Sequence, residues 1–288
     1  MVYVILSVFC SVTVGILLKL AKKKGYSFYQ IININYFVAW VMTILLYEPK
    51  LKNDLSFSTT SIVLSLCFLL PIVFIFQAKA ITYSGIVKTD IAQRMSLFLP
   101  LFFSFFILKE TFNNYKWTGV ILAFMAIFLT FYRKKNTENE TNKKWYFLLL
   151  VLLGFGSIDI LFKQVASLKE LQFTEILYLV FPGAFLISLF ISGYYLIKQK
   201  ETFNKQVISW GIGVGLLNFG NISLYIKAHQ ALSTSPSTVF ASMNMGVIIL
   251  GSLVGILIFK EKMNRWNYLG IVLSLLAIGL ITYSLVAK

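Results

Sequence analysis

The chain has 288 residues, 58% of them apolar and only 13% charged, with a formal net charge of +15. Soluble domains carry about 25% charged residues, so this composition excludes a soluble fold and indicates a polytopic membrane protein. The basic excess does not point to nucleic acid, because the lysines and arginines cluster in short segments between apolar runs, where they set membrane orientation.

A spanning helix needs about 20 mostly apolar residues, and ten such runs can be marked, at 2–21, 28–47, 59–81, 86–108, 115–132, 145–166, 174–197, 207–228, 235–259 and 266–286. Hydrocarbon cannot solvate free backbone N–H and C=O groups, so each run is predicted to be a helix. The first starts at Val2 with no preceding basic residue, unlike a cleaved signal peptide, and is expected to stay as a span. Cys10 and Cys67 lie inside apolar runs and read as small buried hydrophobes, with neither a disulfide framework nor a thiolate metal site implied.

The fourth run is the most charged. Arg94 stands eight residues past Ile86, roughly 12 Å along the axis at about 1.5 Å per residue. Asp90 is four residues earlier on the same face, where it can pair with Arg94, and Gln93 shares that stripe. Two readings stay open: a pair that locks the fold, or an arginine that grips a substrate carboxylate or phosphate while Asp90 positions it. Lys88, near the run's start, is expected to snorkel, as is Lys227 in the eighth run; Gln77 and Lys79, late in the third run, are boundary candidates. Trp117, Trp145 and Trp266 open later runs, where an aromatic belt belongs. Pro71, Pro100 and Pro182 interrupt runs and can supply bends.

The sixth run carries Asp159 and, four residues on, Lys163, either a structural pair or a group that binds a substrate amine or relays a coupled proton. Lys163 aligns with Lys19 of the first run at an offset of 144, so both are candidates for coupling or gating, although either can snorkel from a helix end; Asp159 meets Gly15 at the same offset. The eighth run holds Asn218, Asn221, Tyr225 and His229 as one polar stripe, extended by Gly211 and Gly215 as a GxxxG pair that permits close helix approach. His229, the single histidine, lies toward the boundary and is not read as a catalytic or pH-sensing group.

The chain is duplicated. ILKETFNNYKWTGVIL from residue 107 matches IFKEKMNRWNYLGIVL from residue 258 without a gap at an offset of 151. Lys109/Lys260, Glu110/Glu261, Asn113/Asn264 and Gly119/Gly270 coincide, and the register continues to Tyr132/Tyr283. The polar segment RKKNTENETNKK at 133–144 divides five spans, residues 1–132, from five more, residues 145–288. Five is odd, so the second copy is inverted across the membrane and the two can enclose a midplane site. At the offset of 151 Gln93 superposes on Asn244, while Asp90 and Arg94 meet Ala241 and Met245. The fold expected is an all-α membrane protein of ten transmembrane helices in two inverted five-helix repeats.

Loops after spans 1, 3, 5, 7 and 9 carry fourteen Lys and Arg, against six on the other face (Lys50, Lys52, Lys109, Lys116, Lys169 and Lys288). Taken alone, this places both termini outside.

ALSTSPS at 231–237, more loosely AITYSGI at 80–86, and the long apolar helix after each that ends in LKE (108–110) or FKE (259–261) resemble the EamA-like carriers of the drug/metabolite transporter superfamily. The resemblance covers the whole chain. It implies that helices 1, 3, 4, 6, 8 and 9 line a central cavity and that 5 and 10 are peripheral. Similar proteins usually have a proline 13 residues before the acidic residue, where this chain has Leu97 and Ile248. Glu110 and Glu261 read as structural turn groups beside Lys109 and Lys260.

The function expected is secondary active transport of a small polar metabolite, amino-acid-like or an organic anion or zwitterion, by alternating access. Asp90, Gln93, Arg94, Asp159, Asn218, Asn221, Tyr225 and Asn244 are the candidate substrate-binding residues. With no Walker-type glycine loop, energy must come from the substrate gradient or a coupled ion, and no cofactor is expected. An exporter of a cationic or lipid-linked substrate, or a non-transporting membrane protein, stays open as the alternative. An enzyme would need a nucleophile with its base or a metal-ligand cluster, and neither HExxH nor GxSxG occurs. The partners expected are the bilayer, in the plasma membrane, and a small-molecule solute; self-association as a homodimer is left open.

Overall fold

The structure is a computed structural model that describes residues 1–49, 55–84, 86–130, 144–198, 205–260 and 263–287. Most of the 133–144 linker, Glu261, and the loop residues Lys50, Lys52, Arg133, Lys134, Lys135, Lys143, Lys200, Lys262 and Lys288 lie outside them.

The described residues form helices and no strands: α1 Val2–Lys23, α2 Phe28–Tyr47, α3 Phe57–Ser84, α4 Ile86–Met95, α5 Phe98–Phe102, α6 Asn114–Thr130, α7 Tyr146–Ser167, α8 Phe173–Lys198, α9 Gln206–Ala231, α10 Pro236–Leu257 and α11 Arg265–Tyr283. Helix ends follow local chemistry. Lys22 and Lys23 complement the carbonyl end of α1, Pro236 takes the first position of α10, where its missing N–H costs nothing, and Asn264 and Asn267 form a reciprocal capping box at α11. Pro71 and Pro182 stay within continuous helices.

The run at 86–108 is not one helix. It breaks at Ser96 and Leu97 and continues as α5 and a π-helical turn, Phe103–Ile107. The reason lies in two side chains. Pro100 has no N–H to offer the Ser96 carbonyl, which instead accepts from Leu99 at 3.1 Å, and Ser96 Oγ donates to the Gln93 carbonyl at 2.6 Å in competition with the backbone. The break begins two residues after Arg94.

The packing exchanges the two halves. α1 packs on α9 and α10 as α7 packs on α3 and on α4–α5; α2 packs on α9 as α8 packs on α3; and α6 packs on α11. The α6–α11 seam shows the inversion directly. Asn113 at the start of α6 donates to the carbonyls of Ser284 (3.1 Å) and Ala287 (2.8 Å) beyond the end of α11, while Asn267 at the start of α11 donates to Leu129 (3.2 Å) and Thr130 (2.7 Å) at the end of α6. Equivalent fifth helices therefore run antiparallel.

Among the described residues, nine helical segments are long and apolar enough to cross a membrane, and α6, at 17 residues, is a shorter tenth. The molecule is thus an all-α multi-pass membrane protein. Its large interior cluster includes Tyr36, Leu66, Phe181, Phe240 and Met245, all fully buried, whereas Phe190, Ile197 and Leu257 face outward.

Candidate functional site

The charges predicted inside the bundle converge from both halves. Arg94, in the last turn of α4, points Nη1 at Asn244 Oδ1 of α10, 3.4 Å away, and interacts electrostatically with Asp90 on its own helix and with Asp159 of α7. Asp159 accepts a hydrogen bond from Tyr225 of α9 at 3.1 Å. Asn244 also donates back to the Phe240 carbonyl at 3.1 Å, so its amide orientation is fixed. Asp90, Gln93, Arg94 and Asp159 are each only half-buried.

Gln93 does not meet Asn244 directly. Its Oε1 accepts from Gln77 Nε2 of α3 at 2.9 Å, which draws a boundary candidate into the edge of the cluster. The sequence signal for Gln77 was its polarity late in an apolar run; the partner could not be read, because α3 and α4 meet only through the fold. Lys79 lies over the Phe147 ring, 5.6 Å from its centroid.

The rest of the α9 stripe serves helix contacts. Asn218 Nδ2 donates to Asn35 Oδ1 of α2 at 3.1 Å, and Asn221 Oδ1 accepts from Ser7 Oγ of α1 at 2.7 Å. Gly211 and Gly215 bring α2 against the same helix: a Cβ at 211 would lie 2.5 Å from Ile34 Cβ, and one at 215 would lie 2.7 Å from Val38 Cβ. His229 lies two residues before the end of α9. It is fully buried, edge-on to Tyr225 with ring centroids 4.8 Å apart and against Phe240 at 4.6 Å.

Lys163 neither pairs with Asp159 nor snorkels. It is buried, with Nζ on Ser167 Oγ at 2.9 Å, and it senses the charge of Glu110. One helical turn carries it from Asp159 toward the other repeat's acidic turn. Lys19, its partner by sequence register, is exposed and sits over the Phe259 ring at 3.9 Å, beside the second acidic turn.

Glu110 anchors a second polar cluster. Lys109 and Lys260 both adopt left-handed backbone, φ 51° and 52°, which turns the chain out of the preceding helix in each copy. Glu110 Oε1 then accepts from Lys116 Nζ at 2.8 Å, Ser235 Oγ at 2.9 Å and Ser237 Oγ at 2.7 Å, and Oε2 accepts from the Ser237 backbone N–H at 3.0 Å. Lys116 Nζ also donates to Ser235 Oγ at 2.6 Å. Glu110, Lys116, Ser235 and Ser237 are all buried. Ser235 and Ser237 were legible only as part of a motif, since nothing local joins them to a turn 125 residues away.

Two clefts lie apart from these clusters. One is lined by Phe28, Tyr29, Ile32, Pro71, Phe74, Ile75, Ser188 and Ile191, the other by Leu17, Ser209, Trp210 and Gly213. Neither cleft is lined by a charged residue.

The comparisons agree with this architecture. A solved crystal structure only 10% identical superposes with a TM-score of 0.72 over 96% of this chain and 98% of its own, a likeness of fold. An uncharacterized protein of Haemophilus influenzae is 42% identical over 287 residues, covering 97% of each chain. The model of the EamA-like transporter family matches residues 1–132 and 142–283, nearly the whole length. The chain belongs to the EamA-like transporter family of the drug/metabolite transporter superfamily, membrane transporters of small molecules.

Proposed function

We propose that this protein is a secondary active carrier in the plasma membrane, moving a small polar metabolite by alternating access between its repeats 1–132 and 145–288. The substrate class is a zwitterion of amino-acid type or an organic anion, held at the cluster of Asp90, Gln93, Arg94, Asp159, Tyr225 and Asn244.

The observation that carries this reading is the unspent hydrogen-bonding capacity of Arg94. A guanidinium has five N–H donors, and among the described residues Arg94 has a single hydrogen bond, the long one to Asn244. A planar fork held inside a membrane with its donors free is suited to a carboxylate. Asp159 of the opposite repeat, with Tyr225 on one oxygen, supplies a complementary anchor for an ammonium. A zwitterion bound between them would bridge the halves and couple occupancy to their relative motion. Asn218 and Asn221, engaged with Asn35 and Ser7, then act by holding α9 in register behind Tyr225.

The test is uptake into proteoliposomes of radiolabelled amino acids and small organic acids under imposed solute and proton gradients. Arg94→Ala and Asp159→Asn are expected to cut uptake at least about tenfold, the effect of about 1.4 kcal/mol of lost binding or barrier stabilisation, while keeping monodisperse folded protein. Wild-type uptake in both folded variants would overturn the site. Competition by amino acids but not by simple carboxylates would select the zwitterion.

A further inference from the structure

We infer that the Glu110–Lys116–Ser235–Ser237 cluster is a latch, built on one face only, that holds the two repeats closed over that face, so that the carrier rests open toward the other. This rests on the alternating-access reading above, and it assigns the acidic turn a conformational role.

The bonds join opposite repeats. Glu110 and Lys116 flank the turn between α5 and α6, whereas Ser235 and Ser237 open α10, so three side-chain hydrogen bonds and one backbone hydrogen bond cross the seam. Glu110 receives the Ser237 N–H at the start of α10, where a carboxylate also complements the helix dipole. The ammonium of Lys116 reaches both a carboxylate of its own repeat and a hydroxyl of the other. All four residues are withdrawn from solvent, and a buried charge pair of this kind is hard to break one partner at a time. Separation of α10 from the α5–α6 turn must release every one of these bonds together.

The sequence of the second copy does not repeat all four residues. At the repeat register of 151, Glu110 and Ser235 are matched by Glu261 and Ser84, but Lys116 falls on Asn267 and Ser237 on Ile86. Asn267 instead donates to the carbonyls of Leu129 and Thr130 on α6. The two register-related lysines report the same inequality: Lys163, facing Glu110, is buried, and Lys19, beside the second turn, is exposed. Equivalent positions in the two copies thus differ in burial.

The reporter is Ser242→Cys, on α10 between the latch and Asn244, where the native hydroxyl is buried. The protein, reconstituted in lipid nanodiscs without substrate, is treated with a small membrane-impermeant maleimide. Labelling of the 236–257 segment is followed by mass spectrometry, with Cys10 and Cys67 as internal references. Adding Lys116→Asn, which copies the second repeat, is expected to raise the rate at residue 242 about tenfold or more, whereas Lys116→Arg leaves it within about twofold. Ser237→Ala, which removes one hydrogen bond, is expected to raise it about threefold to fivefold, and it decides the matter if Lys116→Asn is not recovered folded. Unchanged labelling in a folded Lys116→Asn or Ser237→Ala protein overturns the latch. Because no substrate is present, a failure to transport any solute would remove the carrier reading without altering this result.

Discussion

Gly119 and Gly270 are equivalent by sequence register, yet alanine at the two positions is expected to have unequal effects. At 119 an added Cβ would lie 2.5 Å from Ile281 Cγ1 and 3.2 Å from the backbone at Ala277 and Ile281. At 270 it would lie 2.4 Å from Thr130 Oγ1, 2.5 Å from the Thr130 backbone nitrogen and 2.9 Å from the Ala126 carbonyl oxygen. A side-chain carbon can shift by a fraction of an ångström; a helix backbone moves only if the whole of α6 moves. Overpacking costs about 1–3 kcal/mol, and alanine recovers about 1 kcal/mol of helix propensity, so Gly119→Ala should destabilise by about 1 kcal/mol. Gly270→Ala should sit at the upper end of the clash range. It also strains the two Asn267 hydrogen bonds to Leu129 and Thr130, each worth about 1 kcal/mol, for a net loss of about 4 kcal/mol. Apparent melting temperature in detergent, read by the fraction remaining monodisperse after heating, ranks the two variants. If Gly119→Ala melts at or below Gly270→Ala, the reasoning from backbone contact is refuted.

Replacing Lys109 or Lys260 with glycine should stabilise by about 0.5–1 kcal/mol, since each holds positive φ that costs a side-chain-bearing residue about 1–2 kcal/mol, part of which glycine's unfolded-state entropy offsets; a melting-temperature gain in one copy only would show that the turns are not equivalent. Glu170, in the loop before α8, is held below its ordinary value of 4.5 by hydrogen bonds from Ser56 and Thr59. A depressed carboxylate contributes stability above its unfolded pKa and loses it as pH falls through the folded value, so hydrogen-exchange protection at residues 57–60, referenced to the intrinsic exchange rate at each pH, should fall on acidification and Glu170→Gln should abolish that acid dependence. Dependence that persists in Glu170→Gln would assign it to another group.

Much of the fold was legible because a bilayer leaves few choices. Run length and apolarity determined nearly every span, and the offset of 151 identified the repeats, whose odd span count required inversion. The same register named Asn113, Gly119, Asn264 and Gly270 as repeated without revealing why; only the antiparallel α6–α11 seam showed that they join the ends and surfaces of that pair. The break after Arg94 escaped because hydropathy averages over a run, whereas the helix failed at one missing N–H and one competing hydroxyl.

The sequence by itself marked which groups are costly to bury: Asp90, Arg94 and Asp159 stand out because charge in hydrocarbon is expensive. Their partners belong to the tertiary structure. Spacing of four residues suggested Lys163 for Asp159, but helical proximity is weak beside contacts with other helices, so Asp159 received Tyr225 from within its own repeat and Lys163 turned toward Glu110 of the other. Likewise Asn218 and Asn221 share a stripe by period alone, and only packing decided that they meet α2 and α1. Local sequence records what a group costs to bury; where it finds compensation depends on which distant helix is brought alongside.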